Sequence, residues 1–450
     1  MTALLLSQVL TEQRSGKHVV ALRGDERLTL DQLRRDVGIA RLRIRERGVR
    51  RAALVCRDAY WFAVGLFGLF AAGAEAVIPP NSQPGVLRAL AGEYDVVLGD
   101  DAALSDFILG ANRAGPVYAE PLPADDCVLR IFTSGSTGAP KCVRKTLGQF
   151  EQEARLLGRR WDGELGEAPV FATVSHQHVY GLTFRLLWPL AAGRPFIATT
   201  FATWEEVIAQ LPAAAVLISS PTHLLRLSGL APLMPAARPR LVFTAGAPLP
   251  ASAAREVLHI LGVLPTEIYG STETGALATR QQDSADVPWR PLPGVAISAD
   301  DGRLCVRSPS VDPHASLTME DMIEIRPDGG FELLGRVDRV VKIEGKRVSL
   351  PEVERLLLAS PLVGDAAAIA LDCSPTILVA AVVPSAEGRV KLAAEGAFRF
   401  SRRLRRRLLE HLDPAALPRR WRFVDAIPSA ALGKRPRSVI AALFEASGNG

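Results

Sequence analysis

Thr133-Ser134-Gly135-Ser136-Thr137-Gly138-Ala139-Pro140-Lys141 packs four hydroxyls, two glycines and a lysine into nine positions. Glycine lets a backbone turn tightly and approach a ligand closely. The hydroxyls and bare backbone N–H groups donate hydrogen bonds, and Lys141 adds a positive charge. A loop of this kind is suited to hold phosphate oxygens. It has neither the G-x-x-x-x-G-K-[ST] spacing of a P-loop nor the G-x-G-x-x-G of a dinucleotide fold. The preceding Val128-Leu129-Arg130-Ile131-Phe132 reads as a strand, so the loop leaves a strand end. On these residues alone, a solvated Ser/Gly loop is the competing reading.

Outward from the loop, strand-like apolar runs at 52–55, 76–78, 96–98, 170–174, 216–218 and 241–244 alternate with candidate helices at 31–46, 150–160 and 251–261. That alternation predicts an α/β core with largely parallel sheets. Residues 61–74 are apolar throughout. A bilayer needs about twenty such residues, so this run reads as a buried helix feeding the strand at 76–78. After Ala276 the texture changes to short β-like pieces at 295–298, 304–306, 322–326 and 331–334, expected as a small β subdomain closing the large domain. The charged, Gly-flanked stretch 336–345 reads as a hinge. The expected division is a large domain over 1–335, a hinge over 336–345 and a compact α+β lid over 346–450.

The 450 residues are 48% apolar and 22% charged, which fits a soluble globular protein rather than a disordered or membrane-spanning one. Cys56, Cys127, Cys142, Cys305 and Cys373 are odd in number and form no metal-ligand or disulfide spacing, so a reducing, cytoplasmic setting is expected. Cys142 is expected to be a buried structural thiol. Leu4-Leu5-Leu6 is too short an apolar core for an export signal and is soon followed by Glu12. Residues 336–450 carry a net charge of +8 and residues 1–335 one of −3. Arg402, Arg403, Arg405, Arg406 and Arg407 form the sharpest cluster, followed by Arg419, Arg420 and Arg422. No nucleic-acid recognition motif accompanies it, so nucleic acid is not expected as a partner. A solvated amphipathic helix is the plain reading.

The loop resembles the phosphate-binding loop of the adenylate-forming (AMP-binding) superfamily of acyl- and aryl-CoA synthetases and adenylation domains. Six other stretches resemble the same family in the same order. Residues 69–80, with Ala72-Gly73 and Pro79-Pro80, look like its early Ala-Gly…Pro segment. His178-Val179-Tyr180-Gly181 looks like the H-x-x-G of the substrate region. Ala245-Gly246-Ala247-Pro248-Leu249 resembles the adenine-side loop, and Tyr269-Gly270-Ser271-Thr272-Glu273 the Y-G-x-T-E motif. Gly335-Arg336-Val337-Asp338, with Lys342 and Gly345-Lys346-Arg347, resembles the interdomain segment. Gly433-Lys434 with Arg437 looks like the C-terminal G-K-x-x-R. Relatives carry more residues between Pro80 and Arg130, so the resemblance implies a trimmed N-terminal subdomain.

The resemblance implies ATP and Mg²⁺ as cofactors, AMP as a product and a CoA or phosphopantetheine thiol as acceptor. It assigns Thr133, Ser134, Gly135, Ser136, Thr137, Gly138 and Lys141 to the β- and γ-phosphates and Thr272 to the α-phosphate. Glu273 is the metal ligand, a carboxylate suited to a hard cation. A helix start is the plain reading of Thr272-Glu273. The ribose falls to Asp321, with Glu320 as competitor because the usual T-G-D here reads Thr318-Met319-Glu320-Asp321. Arg336 is assigned to ribose or phosphate. Lys434 bridges carboxylate and α-phosphate, and Asp338 is the hinge about which the lid swings. His178 gates the acyl pocket; a satisfied structural histidine competes, with His176 two residues away. No Cys or carboxylate partner supports metal ligation by these histidines.

The implied pocket walls are His178, Tyr180, Gly181, Phe184, Arg185, Ser219, Ser220, His223, Thr244, Ala245, Gly246 and Ser271. Aromatics, small residues and hydroxyls suit a small flat acid with a ring hydroxyl. The compact length and Ser175-His176-Gln177-His178-Val179-Tyr180-Gly181-Leu182 resemble ligases of bacterial xanthomonadin and aryl-polyene pigment pathways. Those ligases load 3- or 4-hydroxybenzoate on an acyl carrier protein, and the basic lid agrees with such an acidic partner. A stand-alone aryl- or acyl-CoA synthetase and a non-catalytic AMP- or acyl-binding protein remain as the other readings.

Overall fold

The computed structural model describes residues 3–110, 115–133, 141–284, 286–336, 339–343, 346–371, 373, 376–410, 412, 414, 417–428, 435 and 437–445. The chain divides into two compact units. The first comprises Met1–Ala296 with Arg307–Ser316, and the second Ile297–Val306 with Leu317–Gly450.

Among the described residues of the first unit, nine strands form one sheet. Its spatial order is Arg290–Pro291, Gly275–Arg280, Thr266–Ser271, Leu241–Ala245, Val216–Ser219, Val170–Ala172, Phe196–Ile197, Val19–Arg23 and Glu26–Thr29. From Thr266–Ser271 to Val19–Arg23 every neighbouring pair is parallel. A second sheet of six runs Phe107–Ile108, Val96–Gly99, Arg51–Val55, Glu75–Ile78, Val128–Thr133 and Lys141–Thr146. Its last pair alone is antiparallel. This is the parallel α/β architecture that the alternating runs predict.

The apolar run near residue 61 forms the helix Ala59–Ala72, with nearly every side chain buried. Asp58 caps it by accepting from the amides of Tyr60 and Trp61 at 2.8 and 3.1 Å. The helix Leu147–Leu165 is longer at both ends than expected. A reciprocal Thr146–Gln149 capping box starts it at Leu147. Its Trp161 ring meets Phe243, which also packs on Phe184 and Trp188, so helix and sheet share one aromatic core.

In the second unit the β-like pieces form a four-stranded sheet of Ala296–Asp300, Arg303–Ser308, Asp312–Ile325 and Phe331–Arg336. Most of it groups with the C-terminal residues, because the helix Leu350–Leu358 packs against its Phe331–Arg336 strand. A three-stranded sheet of Val363–Leu371, Ile377–Pro384 and Arg420–Phe423 follows. Strand alternation gives it two apolar faces. Ala368, Leu378, Ala380 and Val382 meet Val353, Leu357, Phe400 and Leu404 on one side. Ile369, Val379 and Ala381 meet Ile440 and Phe444 on the other. No described helix is long and apolar enough to cross a membrane.

Candidate active site

The strands Val128–Thr133 and Lys141–Thr146 pair antiparallel, with Thr133 opposite Lys141. The Thr133 hydroxyl donates to the Lys141 carbonyl at 3.4 Å, so the two ends of the hydroxyl-rich stretch are joined. Ser134, Gly135, Ser136, Thr137 and Gly138 lie outside the described residues. Lys141 Nζ donates to Glu273 Oε1 at 2.6 Å, which brings the end of that stretch to the Tyr269–Glu273 motif 132 residues away. The two side chains are 63% and 36% exposed, so both remain accessible to a ligand.

Glu273 sits in the turn joining the strands Thr266–Ser271 and Gly275–Arg280. Reciprocal bonds fix that turn. Thr274 Oγ1 accepts from the Ser271 amide at 3.1 Å, and Ser271 Oγ accepts from the Thr274 amide at 3.2 Å. Ser310 Oγ donates to the Thr274 carbonyl at 3.1 Å. Thr272 and Glu273 are thus carried on a turn, not on the helix start that was the plain reading. Partial burial works against the Glu273 charge, but the hydrogen bond and charge of Lys141 and the Ser271 hydroxyl hold the carboxyl below its ordinary range. One ionised, partly exposed carboxylate beside a stretch rich in anion-binding groups fits Mg²⁺ on a nucleotide, which takes few protein ligands and several phosphate oxygens. No cluster of three or more candidate metal ligands occurs among the described residues.

Ligands of parallel sheets bind outside the carboxyl ends of the strands. Here those ends are Ala172, Ser219, Ala245 and Ser271. Ser219 pairs with Thr244, and Thr173 Oγ1 bonds Ser219 Oγ at 2.9 Å, making a row of three buried hydroxyls. Thr244 Oγ1 and the Tyr180 hydroxyl are buried with no hydrogen-bond partner among the described residues. Burial pushes the Tyr180 phenol well above its usual range. A cavity of about 220 Å³ opens beside Thr173, lined also by Thr203, Trp204, His223, Arg226 and Leu230. Burial and the nearby Arg226 lower the pKa of His223, whose buried Nδ1 also has no partner among the described residues. Gly246 and Pro248 are exposed just past the strand Leu241–Ala245, with Ala247 between them. Glu267 holds the end of this loop by accepting from the Leu249 amide at 3.1 Å.

His178 precedes the turn Val179–Gly181 and its carbonyl accepts from the Leu182 amide at 2.7 Å. Gly181 is required there, since a Cβ would lie 2.0 Å from the Ser175 carbonyl oxygen. His176 is fully buried with Nε2 bonded to the Cys56 carbonyl at 2.9 Å, and its buried Nδ1 has no partner among the described residues. Phe184 is buried between Tyr180 and the Phe243–Trp188 cluster. Arg185 does not line a pocket. It is fully buried and donates to the carbonyls of Val174, Ile197, Ala198 and Thr199, clamping the ends of two strands. Cys142 is exposed rather than buried, because its strand is the edge of the six-stranded sheet and alternation turns Val143 and Lys145 inward instead.

In the second unit Asp321 and Arg336 face each other across neighbouring strands, with a carboxylate–guanidinium distance of 3.8 Å. Glu320, the competitor, is paired instead with Arg303 at 2.5 Å. Asp338 and Lys434 lie outside the described residues. Arg435, next after Lys434, bonds Asp365 at 2.6 Å, and Arg437 donates to the Ala370 carbonyl at 2.9 Å. Two residues that the motifs do not reveal stand behind the Glu273 turn: Lys145 and Glu153, both almost fully buried. Nothing in the sequence sets them apart from other charges, since Lys141 shares the strand face of Lys145 and Glu151 is also buried on the helix of Glu153.

Residues 86–311 match the AMP-binding enzyme family, and residues 352–434 match the AMP-binding enzyme C-terminal domain. The chain is 31% identical to a 4-coumarate–CoA ligase of Rhodobacter capsulatus over 67% of its own length and 73% of the relative's. It is 28% identical to the p-hydroxybenzoic acid–AMP ligase FadD22 of Mycobacterium marinum over 76% of its length, which is 52% of that protein. The fold is similar to that of ATP-bound MatB from Rhodopseudomonas palustris, with a TM-score of 0.77, 21% identity and 99% of each chain covered.

Proposed function

The chain belongs to the AMP-binding enzyme family, and from that premise we propose that it activates a small aromatic acid of the 3- or 4-hydroxybenzoate type and loads it on an acyl carrier protein. As an AMP-forming acid–thiol ligase it works in two halves. The acid's carboxylate attacks the α-phosphorus of ATP, giving acyl-adenylate and pyrophosphate. A thiol then attacks the acyl carbon and AMP leaves.

The observation that supports the reading is the Lys141–Glu273 pair, which joins the end of the hydroxyl-rich stretch to the Tyr269–Glu273 motif. The first half-reaction joins two anions, so the protein must neutralise charge and align the reactants. The 133–141 loop holds the β- and γ-phosphates and Thr272 the α-phosphate. Glu273 is the residue to hold Mg²⁺, which offsets phosphate charge when bound. Residues 245–248 and 269–271 cradle the adenine side. Asp321, which lies beside Arg336, is the residue proposed for the ribose, with Glu320 as its competitor. Lys434 bridges the reacting anions, and the segment 336–345, with Asp338 as its hinge residue, is the hinge between 1–335 and the lid.

The orphan hydroxyls support the aromatic hydroxy acid. Buried polar groups without partners are rare in folded proteins. Tyr180 and Thr244 therefore suit a ligand that brings a hydrogen-bonding group of its own. His178, Gly181, Phe184, Ser219, Gly246 and Ser271 complete the proposed pocket.

The basic lid supports the carrier protein. Of the arginine cluster, Arg403 is held by Glu395 at 2.9 Å, Arg405 by the Pro418 carbonyl at 3.2 Å and Arg407 by the Ala359 carbonyl at 2.9 Å. Phe398, Arg402 and Arg406 are spaced four apart on an exposed helix face, with the Arg402 guanidinium over the Phe398 ring. An exposed ring flanked by cations suits an acidic protein surface. Changing Arg402 and Arg406 together to glutamate is expected to slow carrier loading about tenfold at low salt, with adenylation unchanged. Equal loading rates in variant and wild type would make this a solvated face.

The acceptor is tested by offering holo carrier protein and CoA in competition and weighing both products by mass spectrometry. The proposal expects the hydroxybenzoyl group on the carrier. A CoA thioester alone would make the protein a stand-alone synthetase, the reading that its likeness to a CoA ligase favours.

A further inference from the structure

Two buried charges stand directly behind the proposed metal-binding turn. Lys145 lies on the strand Lys141–Thr146, two pleats from Lys141 and on the same face. Its side chain is 1% exposed, and Nζ donates to the main-chain carbonyl of Glu273 at 3.3 Å. One strand thus grips Glu273 twice: Lys141 holds the carboxylate and Lys145 the backbone. Glu153, 2% exposed on the helix Leu147–Leu165, holds the far side of the same turn. It accepts from the Ala276 amide at 2.9 Å and from the Thr183 hydroxyl at 3.3 Å. Its carboxylate fills the space of a missing side chain at Gly275, where a Cβ would come within 2.6 Å.

An apolar pair would pack this strand against this helix at least as well, since burying opposite charges costs desolvation. Burial disfavours both ions here, pulling Lys145 down against the attraction of Glu153 and Glu273, and pushing Glu153 up. What a hydrocarbon pair could not do is bond the carbonyl of Glu273 and the amide of Ala276. Lys141, largely exposed, can leave the Glu273 carboxylate for a phosphate; Lys145 is buried and keeps its hold on the main chain.

We propose that Lys145 and Glu153 are positioning residues that clamp the 271–276 turn from both sides and set the Glu273 carboxylate for the metal-bound nucleotide. The proposal rests on the reading that Glu273 holds Mg²⁺ on ATP. Outer partners of a metal-holding group commonly tune metal affinity by 10–100-fold.

The test is calorimetric binding of ATP by the full chain across a Mg²⁺ series, with steady-state exchange kinetics alongside. Lys145→Met is expected to raise the Mg²⁺ concentration for half-maximal ATP binding about tenfold or more. The KM for the acid should stay unchanged, and Lys145→Arg should recover most of the loss. Lys145→Met leaves Glu153 buried alone and can impair folding, so the double variant Lys145→Met/Glu153→Leu, with no lone buried charge, carries the same test. It is expected to fold and still show the metal defect. Wild-type Mg²⁺ dependence in the folded double variant would reduce the pair to a packing element and overturn the assignment. A wild-type protein that binds ATP no better with Mg²⁺ would overturn the reading of Glu273 itself and this assignment with it.

Discussion

Glu273→Gln is expected to lower acid-dependent ATP–pyrophosphate exchange by about 10²–10³-fold, the usual cost of removing one preorganised electrostatic group. Glutamine keeps the size of the side chain and leaves the Ser271–Thr274 bonds of the turn intact. What it removes is the negative charge that a hard cation requires. The lost Lys141 ion pair is half-exposed and is worth about 0–1 kcal/mol at most, so the melting temperature should barely move. Two readouts therefore separate chemistry from folding: exchange collapses while thermal stability holds, and excess Mg²⁺ restores part of the rate. Exchange at wild-type levels would show that the metal is held elsewhere.

Lys434→Ala is expected to be as damaging to the first half-reaction and mild in the second. The lysine's compact charge on a long stem suits a group that reaches between two anions and then withdraws. Without it, the carboxylate and the α-phosphate repel each other at the moment of attack, again a loss of about 10²–10³-fold. Thioester formation from supplied acyl-adenylate does not need that bridge if the lid has swung about Asp338, as a hinge of a few residues allows. Near-normal transfer from supplied adenylate beside absent adenylation is the expected pattern. Equal loss of both steps would contradict the two-conformation account.

Much of the fold was legible because local rules and burial agree. Alternating apolar runs became parallel strands, and the Asp58 and Thr146 caps start the helices that follow the expected runs. The pairing of Lys141 with Glu273 was legible only through motif order, since nothing local relates residues 132 apart. Three features were not legible for a common reason: residue type does not reveal which way a strand or helix turns its side chains. Cys142, a residue type usually buried, faces out on an edge strand. Arg185, read as a pocket wall, is a buried clamp on four carbonyls. Lys145 and Glu153, charges that fall outside every motif, point inward at the Glu273 turn.

The most direct test of the account is acid-dependent ATP–pyrophosphate exchange over a panel of benzoates, cinnamates, fatty acids and amino acids. The account predicts exchange with 3- or 4-hydroxybenzoate well above the rest, and a clear drop for benzoate itself, which cannot satisfy the buried hydroxyls of Tyr180 and Thr244. Exchange with fatty acids or amino acids but not with hydroxybenzoates would contradict the substrate assignment, and exchange with none of them would favour a silent AMP- or acyl-binding protein.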